Sequence, residues 1–309
     1  MRIGYFADGP WAHRAFEKII KDESIQIVFM TVRYDKRDNV LLSLAEQNNI
    51  PVELSDNINS QAFMDTVKMY KADLFVSMSF NQIFRDGIRN LPKQKTINCH
   101  AGKLPFYRGR NILNWALIND EQEFGITVHY MDEGIDTGDI ILQETYPITD
   151  SDNYATLLER AYDGCADILY RALKMIQDNK VKTVKQTDID PVGMYCGMRG
   201  EGDEVIDWSQ SSRELFNFIR ALCTPGPQAV SWIKGNKITI NRARMVEGAH
   251  TYKNIPGQVI GKTADGLLVK TGDTMLEITE YTYAGKVRIG DRFKDHEQDI
   301  HNSGSRGKS

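Results

Sequence analysis

The sequence predicts an α/β protein in two parts, a doubly wound, mostly parallel sheet followed by a smaller β-rich barrel. Three observations carry this. Short apolar runs alternate with amphipathic segments up to residue 176. A polar stretch containing Gly193, Gly197, Gly200 and Gly202 then interrupts the pattern. From Ala229 onward the apolar runs are short and separated by turn signals.

Taken in order, residues 2–6 and 25–32 read as strands, each followed by a helical segment, at 13–21 and 40–48. A helix at 61–70, a buried strand at 74–77, a short helix at 82–90 and a strand at 96–99 continue a Rossmann-like rhythm. Residues 125–131 and 140–146 read as a hairpin, and 153–176 as a long amphipathic helix with Asp152 as its cap. A helix at 213–222 carries Leu215, Phe216, Ile219 and Leu222 on one face. The turns Lys234-Gly235-Asn236, Asp265-Gly266 and Gly272-Asp273 then punctuate strands that suit a small OB-like barrel. The expected boundaries are a principal domain at 1–185, a linker at 186–204, a helix plus barrel at 205–300, and a disordered tail at 301–309.

Composition narrows the function. Of 309 residues, 41% are hydrophobic and 26% charged, as in ordinary soluble domains. No stretch approaches the roughly 20 apolar residues of a membrane span, and the start carries no signal-peptide pattern, so a cytoplasmic protein without membrane contact is expected. Cys99, Cys165, Cys196 and Cys223 are widely spaced and lack His partners at zinc spacing, which indicates neither disulfides nor a metal. A net charge of −4 offers no general attraction to nucleic acid.

The most informative stretch is TINCHAGKLPFYRGRNILNWALIND at 96–120, followed by EFGITVHYMDEGIDTGDII at 123–141. If 96–99 is a strand, its two-residue period sets Asn98 and His100 on one side at the carboxyl end, where ligands bind in open α/β sheets. An amide supplies a fixed donor and an imidazole moves protons near neutral pH, a pairing suited to acyl transfer. Asp136, flanked by Gly134 and Gly138, supplies a carboxylate that a tight loop could bring to His100. Alone, an Asn-x-His pattern reads rather as a capped strand end with a structural His.

Together the two motifs resemble the formyltransferase family that includes methionyl-tRNA, glycinamide ribonucleotide and sugar N-formyltransferases. The resemblance covers residues 1–185, with weaker similarity beyond. It implies an enzyme using N10-formyltetrahydrofolate as cosubstrate and no metal. It also implies Asn98, His100 and Asp136 as catalytic residues, and a folate pocket lined by Gln82, Ile83, Phe84, Glu133 and Ile135, largely through backbone groups. Core packing is the alternative for the three apolar members.

The resemblance is closest to enzymes that formylate nucleotide-linked amino sugars, such as dTDP-linked 3- or 4-amino-dideoxyhexoses of surface glycans, and it implies a homodimer. Relatives acting on tRNA look more like HxSLLPxxRGAAP, whereas this chain has Arg110-Asn111-Ile112-Leu113 in place of the small residues. Lys103, Arg108 and Arg110 would hold a phosphate or pyrophosphate, with a solvated charged face as the alternative. At residues 8–13, read as a loop entering a helix, Gly9 could offer its N–H to an anion and Trp11 a surface to a base or sugar, or Trp11 could pack in the core. Arg199 and Trp208 could reach the acceptor from the second domain, or serve the linker. Three rival readings remain, a methionyl-tRNA formyltransferase, a noncatalytic folate- or nucleotide-binding protein, and an enzyme that hydrolyses formylfolate.

Overall fold

Two units make up the chain in a computed structural model that describes residues 1–296; the expected tail at 301–309 lies outside the described residues. The first unit comprises residues 1–112, 123–147 and 158–197, and the second comprises 113–122, 148–157 and the described residues from 198 to 296. The elements up to the last helix are β1 (Arg2–Ala7), α1 (Gly9–Ile19), β2 (Gln26–Val32), α2 (Asn39–Gln47), α3 (Gln61–Lys68), β3 (Leu74–Met78) and α4 (Asp86–Arg89). They continue with β4 (Thr96–His100), β5 (Arg108–Gly109), α5 (Ile112–Ile118), β6 (Glu123–Tyr130), β7 (Ile140–Pro147), α6 (Tyr154–Gln177), α7 (Gln186–Ile189) and β8 (Tyr195–Cys196).

Six strands form the main sheet of the first unit in the order β2-β1-β3-β4-β6-β7. The first four are parallel; β6 and β7 run antiparallel. Because β2 and β3 flank β1 on opposite sides, the order reverses there, and the carboxyl ends of β1, β3 and β4 lie along one edge. Every residue of β3 is buried, as a strand covered on both faces requires. Phe6 of β1 is the hub of an aromatic cluster, with ring centroids of Phe29, Phe63, Phe75, Phe80 and Phe84 all between 4.8 and 6.3 Å away. Gly4 admits this packing, since a Cβ there would stand 2.4 Å from the Phe29 ring.

Several boundaries differ from expectation for identifiable reasons. α1 begins at Gly9 rather than His13, because Pro10 suits a first turn and the Gly9 N–H finds an acceptor in Asp38 at 2.9 Å. The helix expected at 82–90 shrinks to α4. Asn59 binds the backbone of the preceding segment, donating to the Ile83 carbonyl and accepting from the Arg85 N–H, so that segment stays irregular. The cap of α6 is Asn153, whose side chain accepts from the Thr156 N–H, in place of Asp152. The linker expected at 186–204 begins as part of the first unit: α7 is helical and β8 pairs with β5.

In the second unit, α8 (Ser212–Leu222) opens with a reciprocal capping box between Ser211 and Glu214 and buries Leu215, Phe216, Ile219 and Leu222. The strands β9 (Ala229–Ile233), β10 (Asn236–Met245), β11 (Val259–Lys262), β12 (Leu267–Lys270), β13 (Met275–Thr282) and β14 (Phe293–Lys294) pair antiparallel in the order β11-β12-β13-β10-β9-β14. Lys234 and Gly235 both have positive φ, which matches the twist of a two-residue hairpin turn. Hydrogen bonds from Val259 N to Asp291 O and from Phe293 N to Gly257 O join the first and last strands, closing the sheet as a barrel. At Gly257 a Cβ would meet the Phe293 carbonyl at 2.4 Å, so closure needs glycine there.

Phe6→Ala should lower unfolding stability by roughly 3–5 kcal/mol, as loss of a fully buried aromatic does. Denaturant titration of the purified variant checks this.

Candidate active site

The site is built on the end of β4. Asn98 and His100 share one side of the strand, while the intervening Cys99 points the other way and donates to the Cys165 carbonyl. Asp136 reaches both: Asn98 Nδ2 lies 3.4 Å from its Oδ1, and His100 Nδ1 lies 3.6 Å from its Oδ2. The expected trio is brought together. A fourth residue joins it, His129 of β6, whose Nε2 is 3.5 Å from Asp136 Oδ1 and 3.4 Å from Asn98 Nδ2. Sequence reading missed His129. Its position in the run 127–131 aligns it inward with Thr127, but only the pairing of β6 with β4 sets it opposite Asn98.

The loop after β4 fixes the imidazole. His100 Nε2 donates to the Tyr107 carbonyl at 2.7 Å. Gly102 passes beneath the ring so closely that a Cβ would lie 2.4 Å from His100 Nε2 and 2.5 Å from that carbonyl. Thr127 Oγ1 donates to the Gly102 carbonyl at 2.7 Å, and Gln143 Nε2 donates to the Leu104 carbonyl at 2.8 Å, so β6 and β7 hold the loop from below. Tyr107 and Asn111 both adopt left-handed backbone conformations, which Asn tolerates and which are sparsely populated for Tyr.

Asp136 itself has a φ of 55°. Its loop is held by Gln186 Nε2, which donates to the carbonyls of Asp136 and Gly138 at 2.8 Å each. Gly138 is obligatory in this turn, because a Cβ would fall 1.8 Å from the Tyr130 carbonyl. The Gly109 N–H donates to Asp136 Oδ2 at 3.0 Å. Burial works to raise the carboxyl pKa, but the charge of His100, the bond and charge of His129, and the Gly109 N–H together outweigh it and hold the group well below the usual carboxylate range. Asp136 is therefore an anion in a nearly closed site.

The other candidates are distributed differently. Ile83 and Ile135 are 70% and 57% exposed, and Glu133 is exposed beside Ile135. The Phe84 side chain is in the aromatic core, 4.8 Å from the Phe6 ring, leaving only its backbone for a ligand. Gln82 is occupied internally, accepting from the Ile58 N–H and donating to the Ser55 carbonyl.

Three of the candidates for holding a phosphate have partners within the chain. Arg108 is buried; its guanidinium makes two bonds to Gln186 Oε1, at 3.0 and 2.8 Å, and one to the Val192 carbonyl, so it braces the 186–195 segment. Lys103 pairs with Glu123 at 2.5 Å. The Gly9 N–H and His13 both bind Asp38, which fills the anion position at the start of α1. Trp11 lies edge-on to Tyr162 at 4.6 Å, half-buried. Arg110 is exposed.

Arg199 belongs to the second unit, where its guanidinium lies over the rings of Trp115 and Phe218 and donates to the Asp203 carbonyl. Trp208 is in that unit's core, against Phe293, with Nε1 donating to Ser231. Among the described residues no group of three or more His, Cys, Asp or Glu could hold a metal ion, and no helix is long and apolar enough to cross a membrane.

A parallel sheet with an amide, an imidazole and a carboxylate gathered at one strand end, joined to a closed antiparallel barrel, defines a group-transfer enzyme. Residues 1–173 match the formyl transferase family and residues 200–292 its C-terminal domain. The chain belongs to the formyl transferase family and is a formyltransferase. It is 34% identical over 300 residues to methionyl-tRNA formyltransferase of Alkaliphilus oremlandii, covering 94% of this chain and 95% of that one. Its fold is similar to that of WlaRD, a sugar 3N-formyl transferase solved with dTDP and 5-N-formyl-THF (TM-score 0.66, 21% identity, 93% of this chain and 99% of that chain). It is similar also to an N-formyltransferase from Helicobacter canadensis in complex with folinic acid and dTDP-3-aminofucose (TM-score 0.65, 21% identity, 91% and 99%).

Two predictions follow from this geometry. Gly102→Ala should displace the His100 ring and lower formyl transfer by tenfold or more, about 1.4 kcal/mol of barrier, while far-UV circular dichroism stays unchanged. Asp136, with its folded pKa depressed, stabilises the fold above its unfolded value of about 4, and that contribution is lost as pH falls through the folded value. Asp136→Asn should thus be less stable than the parent at pH 7 by denaturant titration, with the gap narrowing below about pH 4.

Proposed function

We propose that this formyltransferase moves the formyl group of N10-formyltetrahydrofolate to the primary amine of a nucleotide-linked amino sugar. The observation that carries the transfer chemistry is the convergence of Asn98 and His100 on Asp136, at 3.4 and 3.6 Å. For the cosubstrate, the support is the exposure of Ile83 and Ile135 on two loops, apolar surface that a flat pterin would cover. WlaRD and the Helicobacter canadensis enzyme, solved with formylated folates, agree with it.

In this reading the neutral amine attacks the formyl carbon and forms a tetrahedral oxyanion. The Asn98 amide donates to that oxygen and the His100 imidazole supports its charge. Since the Nε2 proton of His100 is committed to the Tyr107 carbonyl, Nδ1 is the ring atom able to take the proton lost by the amine. Asp136 steadies the resulting imidazolium. The C–N10 bond then breaks, N10 receives the proton, and tetrahydrofolate and the formamide leave. Asn98→Ala and His100→Ala should each lower kcat by roughly 100- to 1,000-fold with nucleotide-sugar binding still measurable by calorimetry.

The sugar acceptor is supported by the disposition of charge. Lys103 is paired with Glu123, the buried Arg108 guanidinium is hydrogen-bonded to Gln186 and the Val192 carbonyl, and the net charge is −4. A polynucleotide needs many phosphate contacts, whereas a diphosphate needs one or two, for which exposed Arg110 is the candidate. The second reading, formylation of methionyl-tRNA, is favoured by sequence relatedness: relatives of that name match at 31–34% identity over most of both chains. Incubation with 10-formyltetrahydrofolate and either dTDP-linked amino sugars or initiator methionyl-tRNA, read by product mass, separates them. Formylated methionyl-tRNA with unmodified sugars would sink the sugar assignment; product from neither would sink both.

A further inference from the structure

His129 is a second imidazole at Asp136 that the proposed chemistry leaves unused. It is paired in register with Asn98 and is 2% exposed. Its Nδ1 lies 2.8 Å from the Tyr130 carbonyl oxygen. A carbonyl oxygen only accepts, so Nδ1 carries a proton, and in the neutral ring Nε2 is a bare acceptor. That acceptor points at Asn98 Nδ2, at 3.4 Å, and lies 3.5 Å from Asp136 Oδ1. His100 has the opposite arrangement, with the proton on Nε2 donated to Tyr107 and Nδ1 turned to Asp136 Oδ2.

The two ends of an amide are nearly alike in shape, and its neighbours decide which way it faces. On this side Asn98 meets two acceptors, the carboxylate and the imidazole nitrogen, and only the NH2 end can face both. Asp136 alone leaves room for the amide to rotate, because a single long contact at 3.4 Å constrains it weakly. We propose that His129 is a positioning residue for formyl transfer: its unprotonated Nε2, set beside Asp136, holds the Asn98 amide in one orientation with the NH2 at the reaction centre. Both contacts are long enough that a hydrogen can turn to the shorter, stronger bond of a developing oxyanion. The inference rests on the formyl-transfer reading for its kinetic consequence and on the hydrogen-bond pattern alone for its structural one.

Two measurements test it. His129→Leu should lower kcat roughly tenfold or more, with the KM for 10-formyltetrahydrofolate changed by less than about twofold. In an Asn98→Ala background the same substitution should change kcat by less than about twofold, because no amide is left to orient. Equal losses in the two backgrounds would mean that His129 only supports the strand, and would overturn the proposal. His129→Gln, whose side-chain carbonyl can stand where Nε2 stood, should recover most of the loss, and it serves if the leucine variant does not fold. Independently of any acceptor, nitrogen NMR of the unliganded parent protein should show neutral His129 as the Nδ1–H tautomer and neutral His100 as the Nε2–H tautomer. A Nε2–H tautomer at His129 overturns the orienting role even where formyl transfer is observed. Absence of any formyl product from the parent enzyme defeats the transfer reading, while the tautomer still decides whether His129 orients Asn98.

Discussion

The site depends on keeping one buried carboxylate charged. An ion taken out of water costs several kcal/mol unless partners replace its hydration, and Asp136 is supplied from several directions. Hydrogen bonds reach it from the Asn98 amide of β4 and from the Gly109 N–H of the returning loop, and the rings of His100 and His129 flank it. Each partner is held in turn. Tyr107 and Tyr130 carbonyls fix the two rings, and Gln186 clamps the backbone of Asp136 while also gripping Arg108. The left-handed backbone at Asp136 and the glycines at 102 and 138 are what such close approach requires.

The sheet makes this convergence possible. Parallel pairing of β1, β3 and β4 gathers their carboxyl ends on one edge, and the switch to antiparallel at β6 brings His129 beside Asn98 with no crossover between them. Beneath the loop that follows β3, the aromatic cluster around Phe6 takes in Phe80 and Phe84. That cluster anchors the loop by its buried side chains, while Ile83 between them is turned outward. The run 80–84 thus divides into rings that hold it and one exposed apolar side chain.

Much of this was legible in the sequence, for physical reasons. The period of two at 96–100 is enough to put Asn98 and His100 on one side, and Gly134 and Gly138 announce a tight turn at Asp136. The alternation of strands and helices and the turn-rich second half follow from local patterning in the same way. What was not legible depends on partners remote in sequence. His129 gains its meaning only from the register of β6 against β4, and α1 starts early because Asp38, 29 residues away, accepts from Gly9. The helix expected at 82–90 is curtailed by Asn59, whose amide satisfies backbone groups that a helix would otherwise have used.

The cationic residues teach the sharper lesson. Lys103 and Arg108 lie in a motif beside the reactive end of β4, and by position alone both look like phosphate ligands. A cation's donors, however, go to the nearest acceptors, and the chain supplies its own: the Glu123 carboxylate for one, the Gln186 amide oxygen and a carbonyl for the other. At the start of α1 Asp38 does the same, placing a carboxylate where an incoming phosphate would otherwise sit. An anionic acceptor entering this site must therefore either displace these internal pairs, losing their hydrogen bonds, or rely on other groups. Since buried Arg108 also braces the segment that clamps Asp136, displacing it would disturb that carboxylate. Recognition of the acceptor is consequently cheapest through exposed side chains and backbone donors at the rim, where a small, specific partner can be read by a few contacts.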